Sequence, residues 1–196
     1  MVKTGFQRPS DFSNSVIIDI GDPYPGRAEL IAYYPNLAAN LKTPGLSTWG
    51  SNTYGQVGLG DVVYRSSPVQ VGSLTNWKSV SGGVNHTAAT KTDGTLWTCG
   101  YNAYGQLGLG NTISRSSPVQ VGSLTNWQSV SCGYSYTAAT KTDGTLWTWG
   151  SNGSGALGLG DSTSRSSPVQ VGSLTNWKSV AGGGGQTAAI VQGTDF

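Results

Sequence analysis

A ten-residue segment, PVQVGSLTNW, occurs three times without a single change, at residues 68–77, 118–127 and 168–177. The chain is therefore built on a strict 50-residue period. Each unit contains four short apolar runs bounded by Gly, Pro, Asn or Ser, which is typical of a β-propeller blade rather than of a helical repeat. We therefore expect an all-β fold made of four-stranded propeller blades, with function located on loops.

The same pattern predicts the strands of each blade. WKSVSGG and HTAATKT predict the first two strands, Asp93-Gly94 predicts a tight hairpin turn, and LWTCG predicts the third strand. PVQV predicts a fourth, outer strand that begins at its proline, because a strand start does not need the missing N–H. The repeats divide into units 46–95, 96–145 and 146–196, preceded by an arm or adaptor at 1–45.

Three glycine-rich segments make the pattern more specific. WGSNTYGQVGLGD, WTCGYNAYGQLGLGN and WTWGSNGSGALGLGD resemble the repeat of the regulator of chromosome condensation family, whose propellers usually have seven blades. The resemblance runs from Leu46 to about Val191 and implies a propeller. It leaves function open, because this architecture serves nucleotide exchange, enzyme inhibition and scaffolding. No P-loop Lys-Ser/Thr follows, so we expect these glycines to provide positive φ and close backbone approach.

The repeated part of the sequence begins and ends in the middle of a blade. It begins with a third strand at 46–50 and stops after a second strand at 186–191, which gives three blades' worth per chain. Because propellers have four to eight blades, we expect another subunit to complete the ring. A homodimer of six blades is favoured; a trimer of nine blades and an open arc capped by a partner are the alternatives. The candidate subunit-interface residues are Leu46, Trp49, Thr187 and Ile190.

Composition excludes several classes of partner. Only 10% of the residues are charged and the net charge is +2, so we expect no nucleic-acid binding. The amino terminus lacks the apolar core of a signal peptide, and no apolar run is long enough to span a membrane, so we expect neither secretion nor membrane insertion. Cys99 and Cys132 stand at different positions of the repeat and do not predict a disulfide framework or a metal site.

No residue pattern predicts catalysis. His86 stands where Tyr136 and Gln186 stand in the other units, so nothing in the repeat requires an imidazole and the pattern does not predict a catalytic triad. Asp61 is matched by Asn111, and no carboxylate cluster surrounds either residue. We therefore expect a non-enzymatic protein without cofactor or metal; a glycan-acting enzyme has the least support, because paired carboxylates do not recur.

The differences among the three units are concentrated in loops. Tyrosines on loops give large contact area at low entropic cost, which suits a binding surface, although exposed positions also drift. The candidate binding residues are Tyr54, Tyr64, His86, Tyr101, Tyr104, Tyr134 and Tyr136. The recurring Arg65, Arg115 and Arg165 are expected to hold blades together by hydrogen bonds to carbonyls.

Residues 1–45 contain five of the eight prolines and no repeat motif. They are equally consistent with a strap on their own propeller and with an arm that reaches a neighbour. A short adaptor before near-identical propeller repeats resembles structural proteins predicted in marine bacteriophages. This favours a virion component of head, neck or tail, made in the host cytoplasm, which contacts other virion proteins through 1–45. The alternative is an intracellular interaction propeller of the exchange-factor or enzyme-inhibitor type.

Overall fold

A computed structural model describes residues 45–193, which form twelve β-strands and no helix. The strands are β1 Ser47–Gly50, β2 Arg65–Gln70, β3 Trp77–Gly82, β4 His86–Lys91, β5 Leu96–Gly100, β6 Arg115–Gln120, β7 Trp127–Cys132, β8 Tyr136–Lys141, β9 Leu146–Gly150, β10 Arg165–Gln170, β11 Trp177–Gly182 and β12 Thr187–Val191. No helix able to cross a membrane occurs in this part of the chain. The expectations for an arm at 1–45 concern residues that, apart from Gly45, lie outside the described range.

The strands form two complete blades and two half-blades. β3-β4-β5-β6 and β7-β8-β9-β10 are four-stranded antiparallel sheets, whereas β1-β2 and β11-β12 are two-stranded sheets. The predicted all-β class and four-stranded blades are therefore confirmed. The half-blade β1-β2 corresponds to the third and fourth strands of a blade, and β11-β12 corresponds to the first and second.

Successive blades meet along their first strands. β7 lies against β3 and β4, and β11 lies against β7 and β8. The Cys132 N–H donates to Ser81 Oγ at 2.9 Å, and the Gly182 N–H makes the same bond to Ser131 Oγ. The first strand of each blade is therefore the innermost, and the fourth strand is the outermost, as the sequence predicted.

A hydrophobic core fills the junction between the two complete blades. Trp127, Trp149, Leu96 and Val121 are buried in one cluster, and the rings of Trp127 and Trp149 have centroids 5.9 Å apart. Trp149 Nε1 donates to the Gln106 carbonyl of the preceding blade at 3.0 Å, which satisfies the buried indole N–H. Because these contacts join residues far apart in sequence, each blade depends on its neighbour for burial.

The structure shows where the fourth strand begins and how the Asp93-Gly94 hairpin is formed. The fourth strand begins at Arg65 rather than at Pro68, and the pairing with β1 is irregular between Thr48 and Gly50. The proline is tolerated because it lies in an outermost strand beside this irregularity. Asp93-Gly94 does form the hairpin connection, within a four-residue link in which Gly94 has a φ of 77° and its N–H donates to the Lys91 carbonyl.

Candidate functional site

The loops that differ among the repeats all lie at one end of the blades. His86 begins β4 and pairs with Gly100 at the end of β5, and the Tyr101 N–H donates to the Asn85 carbonyl at 2.7 Å. The loops before β4 and after β5 therefore share one end, which we call the variable face. Its loops are 51–64, 83–85, 101–114, 133–135, 151–164 and 183–185. The loops at the opposite end, the constant face, are identical between units: 71–76, 121–126 and 171–176, then 92–95 and 142–145.

A buried asparagine organises each long loop of the variable face. Asn102 Nδ2 donates to the carbonyls of Asn111 and Ile113 at 3.0 and 3.1 Å, and its Oδ1 accepts from the Leu107 N–H at 2.9 Å. Asn52 and Asn152 make the equivalent bonds in their own loops. Since a fully bonded buried amide is costly to disturb, these loops are held rigidly without regular secondary structure.

The glycines of the same loops have a structural role, as the sequence predicted. Gly105 has a φ of 80°, and a Cβ at that position would lie 2.4 Å from Ser166 Cα of the next blade. Gly108 has a φ of 72°, and its Cβ would lie 2.7 Å from Trp149 Nε1. Positive φ and close approach both require glycine here, because any side chain would push adjacent blades apart.

Five of the seven candidate binding residues, all of them tyrosines, reach the surface of the variable face. Tyr64, Tyr134, Tyr104 and Tyr54 are exposed, and Tyr101 is half-buried. The Tyr54 and Tyr101 rings have centroids 4.6 Å apart, and those of Tyr101 and Tyr104 are 6.4 Å apart. These three side chains, which we call the tyrosine cluster, form a continuous aromatic surface across two consecutive repeat units.

The remaining two candidates, His86 and Tyr136, are only 1% and 2% exposed. The Thr137 hydroxyl donates to the Gln106 carbonyl, so the hydroxyl must accept from the Nε2–H of His86, 3.0 Å away. Burial lowers the pKa of His86 to about 4, so the imidazole is neutral at pH 7. These side chains fill the junction between blades and are not available to a partner on the surface.

Tyr136 joins the next pair of blades in the same way. Its hydroxyl donates to the Gln186 carbonyl at 2.5 Å and accepts from the Gly183 N–H at 3.1 Å. The sequence did contain a signal of this role, because His86 and Tyr136 each stand directly before Thr-Ala-Ala, in a strand whose two alanines are buried in the complete blades. A residue at the first position of that strand faces the neighbouring blade.

The four candidate subunit-interface residues have different surroundings. Trp49 and Ile190 are 61% and 60% exposed, at the open sides of the two half-blades. Thr187 is half-buried, and its hydroxyl donates to the Ala156 carbonyl of the preceding blade at 2.6 Å. Leu46 is buried with Val71 in a second core cluster, so its side chain already packs within its own chain.

The recurring arginines act within one loop rather than between blades, which corrects the prediction. Arg65 donates to the Val63 carbonyl at 2.7 Å and forms an ion pair with Asp61, and Arg165 repeats this arrangement with Asp161. Where Asn111 replaces the aspartate, Arg115 has only a long bond to the Ser114 carbonyl, at 3.3 Å. Each guanidinium therefore closes the end of its own variable-face loop.

The metal-ligating residue types within the described residues do not cluster, and both cysteine thiols are buried. Within 45–193, no three His, Cys, Asp or Glu side chains lie close enough to hold a metal ion. Cys99 and Cys132 are buried and unpaired, and burial raises the pKa of their thiols to about 12 and about 11. Both thiols are therefore protonated at neutral pH and are poor nucleophiles.

Two equivalent grooves, which the sequence did not predict, lie on the outer side of the blade junctions. In the larger one, of about 550 Å³, Lys141 Nζ lies 3.6 Å from the centroid of the Trp147 ring and 4.8 Å from that of Trp127. Lys91 makes the same arrangement in a groove of about 450 Å³. Burial lowers the pKa of both lysines. The cation–π contacts explain how a lysine is tolerated in a mostly apolar junction.

Comparison with known proteins agrees with this geometry. The regulator of chromosome condensation (RCC1) repeat matches residues 46–90, 93–140 and 143–190, and a second description of the same repeat matches 77–106 and 127–156. Human WBSCR16 is similar to 76% of this chain, with 27% identity, a TM-score of 0.65 and 41% of its own length covered.

Two solved structures of the yeast protein Prp20 show the same fold. Prp20p from Saccharomyces cerevisiae is 22% identical over 76% of this chain and 40% of its own, with a TM-score of 0.65. Yeast RCC1 (Prp20) bound by Kap60 is 23% identical over 78% and 39% of the two chains, with a TM-score of 0.66. The chain thus spans about two fifths of the solved structures it matches. Because three consecutive repeats cover most of the sequence, the chain belongs to the RCC1 repeat family.

Proposed function

We propose that the chain is a non-enzymatic binding protein that recognises a protein partner through the variable face. The observation that carries this proposal is the contrast between the two ends of the blades. Among the loops that join two described strands, every difference between units falls on the variable face, and those of the constant face are identical; only the chain segments beside the first and last strands, Gly45 and Gln192-Gly193, differ at the constant face. Random drift of exposed loops would change both ends, since both are exposed to solvent.

The chemistry of the variable face suits a protein partner. The tyrosine cluster offers aromatic area with polar hydroxyls at its rim, and Val62, Val63 and Ile113 add exposed apolar area nearby in the long loops. Few charges accompany these side chains, which argues against a polyanion such as nucleic acid. Aromatic residues with little charge are the composition of the central part of protein–protein interfaces.

The rigidity of the loops also favours binding. The bonds of Asn52 and Asn102 hold the tyrosine-bearing loops in one conformation before any partner arrives. Binding then costs little loop entropy, so a larger share of the contact free energy appears as affinity. The variable face is therefore a preorganised surface on which a few side chains set the specificity.

The family supports a binding role in general terms. Prp20p binds Gsp1p and histones, and Kap60 binds yeast RCC1 (Prp20). An intracellular interaction propeller is compatible with this family. The assignment to a virion, and contacts with other virion proteins through 1–45, stay predictions, because they depend on residues outside the described range.

The test compares one variant of each end of the blades. Tyr101→Ser and Tyr104→Ser place in the second unit the serines that the third unit carries as Ser151 and Ser154, and Tyr54→Ser completes the variable-face variant. The control carries Leu74→Ser and Leu124→Ser, which remove exposed leucines from the constant face. Both proteins should fold, because all five positions are at least partly exposed.

Partners captured from the source cell by the unmodified chain are quantified by mass spectrometry with each variant as bait. We expect the variable-face variant to lose a specific protein by tenfold or more, and the constant-face variant to retain it. If the variable-face variant retained the partner protein and the constant-face variant lost it, the partner would bind the constant face, which contradicts the proposal.

A further inference from the structure

We infer that the two half-blades complete one another between two copies of this chain, with β12 of one copy pairing antiparallel to β1 of the other. This inference concerns the sides of the blades and does not depend on the proposed role of the variable face. It is argued from the two complete blades, which show what each exposed residue of the half-blades contacts when a neighbour is present.

The register of the shared blade follows from the complete ones. In the first complete blade, β4 pairs with β5 through Thr87↔Cys99 and Ala88↔Thr98, and β8 pairs with β9 in the same register. β12 is the equivalent of β4 two units later, and β1 is the equivalent of β5 one unit earlier. The same register between two copies therefore pairs Thr187 with Trp49 and Ala188 with Thr48. Both strands present an open edge in the described unit, and pairing would remove two such edges at once.

The exposed Trp49 has a matching site on the other half-blade. Its counterpart Trp149 is fully buried on Gly108 and donates to the Gln106 carbonyl, which also accepts from the hydroxyl of Thr137. The third unit repeats this arrangement without the tryptophan. Gly158 is exposed with φ 67°, and a Cβ there would meet only Val171, 3.6 Å away. Trp49 of the second copy therefore fills the place above Gly158.

Backbone groups in the third unit point to the same neighbour. The Gly60 N–H donates to the Ser116 carbonyl, and the Gly110 N–H donates to the Ser166 carbonyl, both at 2.8 Å and both across a blade junction. Gly160, the third member of this series, has no atom near its Cβ position within 4 Å. In the shared blade, the Gly160 N–H bonds to the Ser66 carbonyl of the second copy.

A groove at the other open side accommodates the innermost strand of the shared blade. It has a volume of about 510 Å³ and is lined by Trp49, Val80 and Val84, among others. Val80 is 54% exposed, whereas its counterparts Val130 and Val180, which each lie beside a preceding blade, are half-buried. β11 of the second copy covers Val80 as β3 covers Val130.

One contact does not carry over. Ser81 and Ser131 accept from the N–H of the last residue in the first strand of the following blade, Cys132 and Gly182, but Ala181 takes their place in the third unit. The shared blade therefore lacks one cross-junction hydrogen bond. Counted from the described residues alone, two copies contribute four complete blades and two shared ones, which is within the range of closed propellers, while three copies would exceed it.

The test is a disulfide that only the shared blade permits. Thr48→Cys with Ala188→Cys places two thiols directly opposite one another between copies, while within one chain two complete blades separate them. Mild oxidation should give a covalent dimer that a reductant separates, since the native Cys99 and Cys132 are buried. The control, Thr48→Cys with Ala189→Cys, moves one thiol by one residue to the opposite side of the sheet, and should crosslink poorly.

A second measurement does not depend on cysteine substitutions. Light scattering of the unmodified chain should give twice the 20.3 kDa of one copy, and Trp49→Ala should weaken the dimer about 30-fold or more. A single-copy mass at micromolar concentration, or equal crosslinking of test and control, would overturn the inference and show that other residues cover the edges. Three copies would overturn the six-bladed ring.

Discussion

Trp149 and Trp49 occupy the same position of the repeat, yet one is fully buried and the other is 61% exposed. The difference lies entirely in the neighbours: Trp149 has the loop of a preceding blade against it, and Trp49 does not within the described unit. In a repeat protein, the contribution of a side chain to stability depends on the adjacent unit as much as on its own. An internal blade junction and an open side can therefore be compared residue by residue.

The largest expected effect is that of Trp149→Ala. Removing this ring leaves a cavity in the core of the internal junction, so the free energy of unfolding should fall by about 3–5 kcal/mol in urea denaturation. Trp49→Ala is the matched change at the open side. Its effect on unfolding should depend on protein concentration, because a partner copy is needed to bury that ring. If both variants lost the same free energy of unfolding, and neither loss depended on protein concentration, the internal junction and the open side would not differ as described.

The second prediction concerns His86, which lies in an internal junction, whereas its counterpart Gln186 lies at an open side. The pKa of His86 is lowered to about 4 in the folded chain, from an ordinary value of 6.5. The unfolded chain binds the proton more tightly, so this residue's contribution to stability is complete above pH 6.5 and is lost as the pH falls towards 4. The loss should approach about 3 kcal/mol.

The control for this pH dependence is His86→Tyr, which introduces the residue that the second unit carries at the same position. Stability measured by denaturant titration from pH 7 to pH 4 should fall less steeply in this variant. Parallel curves for the two proteins would mean that the buried imidazole does not control the acid sensitivity of the junction.

The third prediction compares Gly108→Ala with Gly158→Ala. Both positions have positive φ, so both substitutions carry a similar backbone strain. At Gly108 the new methyl group must also displace the Trp149 ring, whose Nε1 would lie 2.7 Å away, while at Gly158 nothing comparably close is present. Thermal or urea unfolding of dilute protein should show Gly108→Ala to be less stable by about 2 kcal/mol. A reversed order would contradict the packing described for the internal junction.

The smallest effect is expected for Asp161→Asn, on an exposed loop away from any internal junction. The Thr163 N–H and then Arg165 hold the pKa of Asp161 below its usual value, so the stabilisation from this carboxylate is lost as the pH falls through that lowered pKa. The second unit already carries Asn111 at this position. The midpoint of thermal unfolding at pH 7 should therefore change little, and a large drop would show that the loop ion pair supports the blade.

The repeat predicted the blades well because strand and turn signals are local. Short alternating strands, Asp93-Gly94 at the hairpin and glycines at positive φ each depend on a few neighbouring residues. The roles of Arg65 and Arg165 were assigned wrongly, because a carbonyl acceptor can belong either to the arginine's own loop or to the next blade. Sequence spacing does not distinguish these acceptors, and the contacts with Val63 and Thr163 do.

Candidate site residues were harder to predict than blades. The variation among units pointed to one group of loops, which share one end of the blades, but it did not separate surface positions from junction positions. Tyr134 and Tyr136 are two residues apart; Tyr134 is exposed at the tip of a loop, and Tyr136 begins a strand and is buried against the next unit. Whether a variable residue meets solvent or a neighbouring blade depends on how blades stack, which involves residues about 50 positions away.

The sequence alone determined the repeat period, the four-stranded blade and the loops in which the units differ, because these features follow from local propensities and from comparison of the units. Only the tertiary structure decided which aromatic side chains are buried between blades, that all the differing loops lie at one end, and that Trp49 and Gly158 lack the neighbours of their counterparts. Burial is a property of the contacts between units, and identical segments have different energies when one has a neighbour and the other does not.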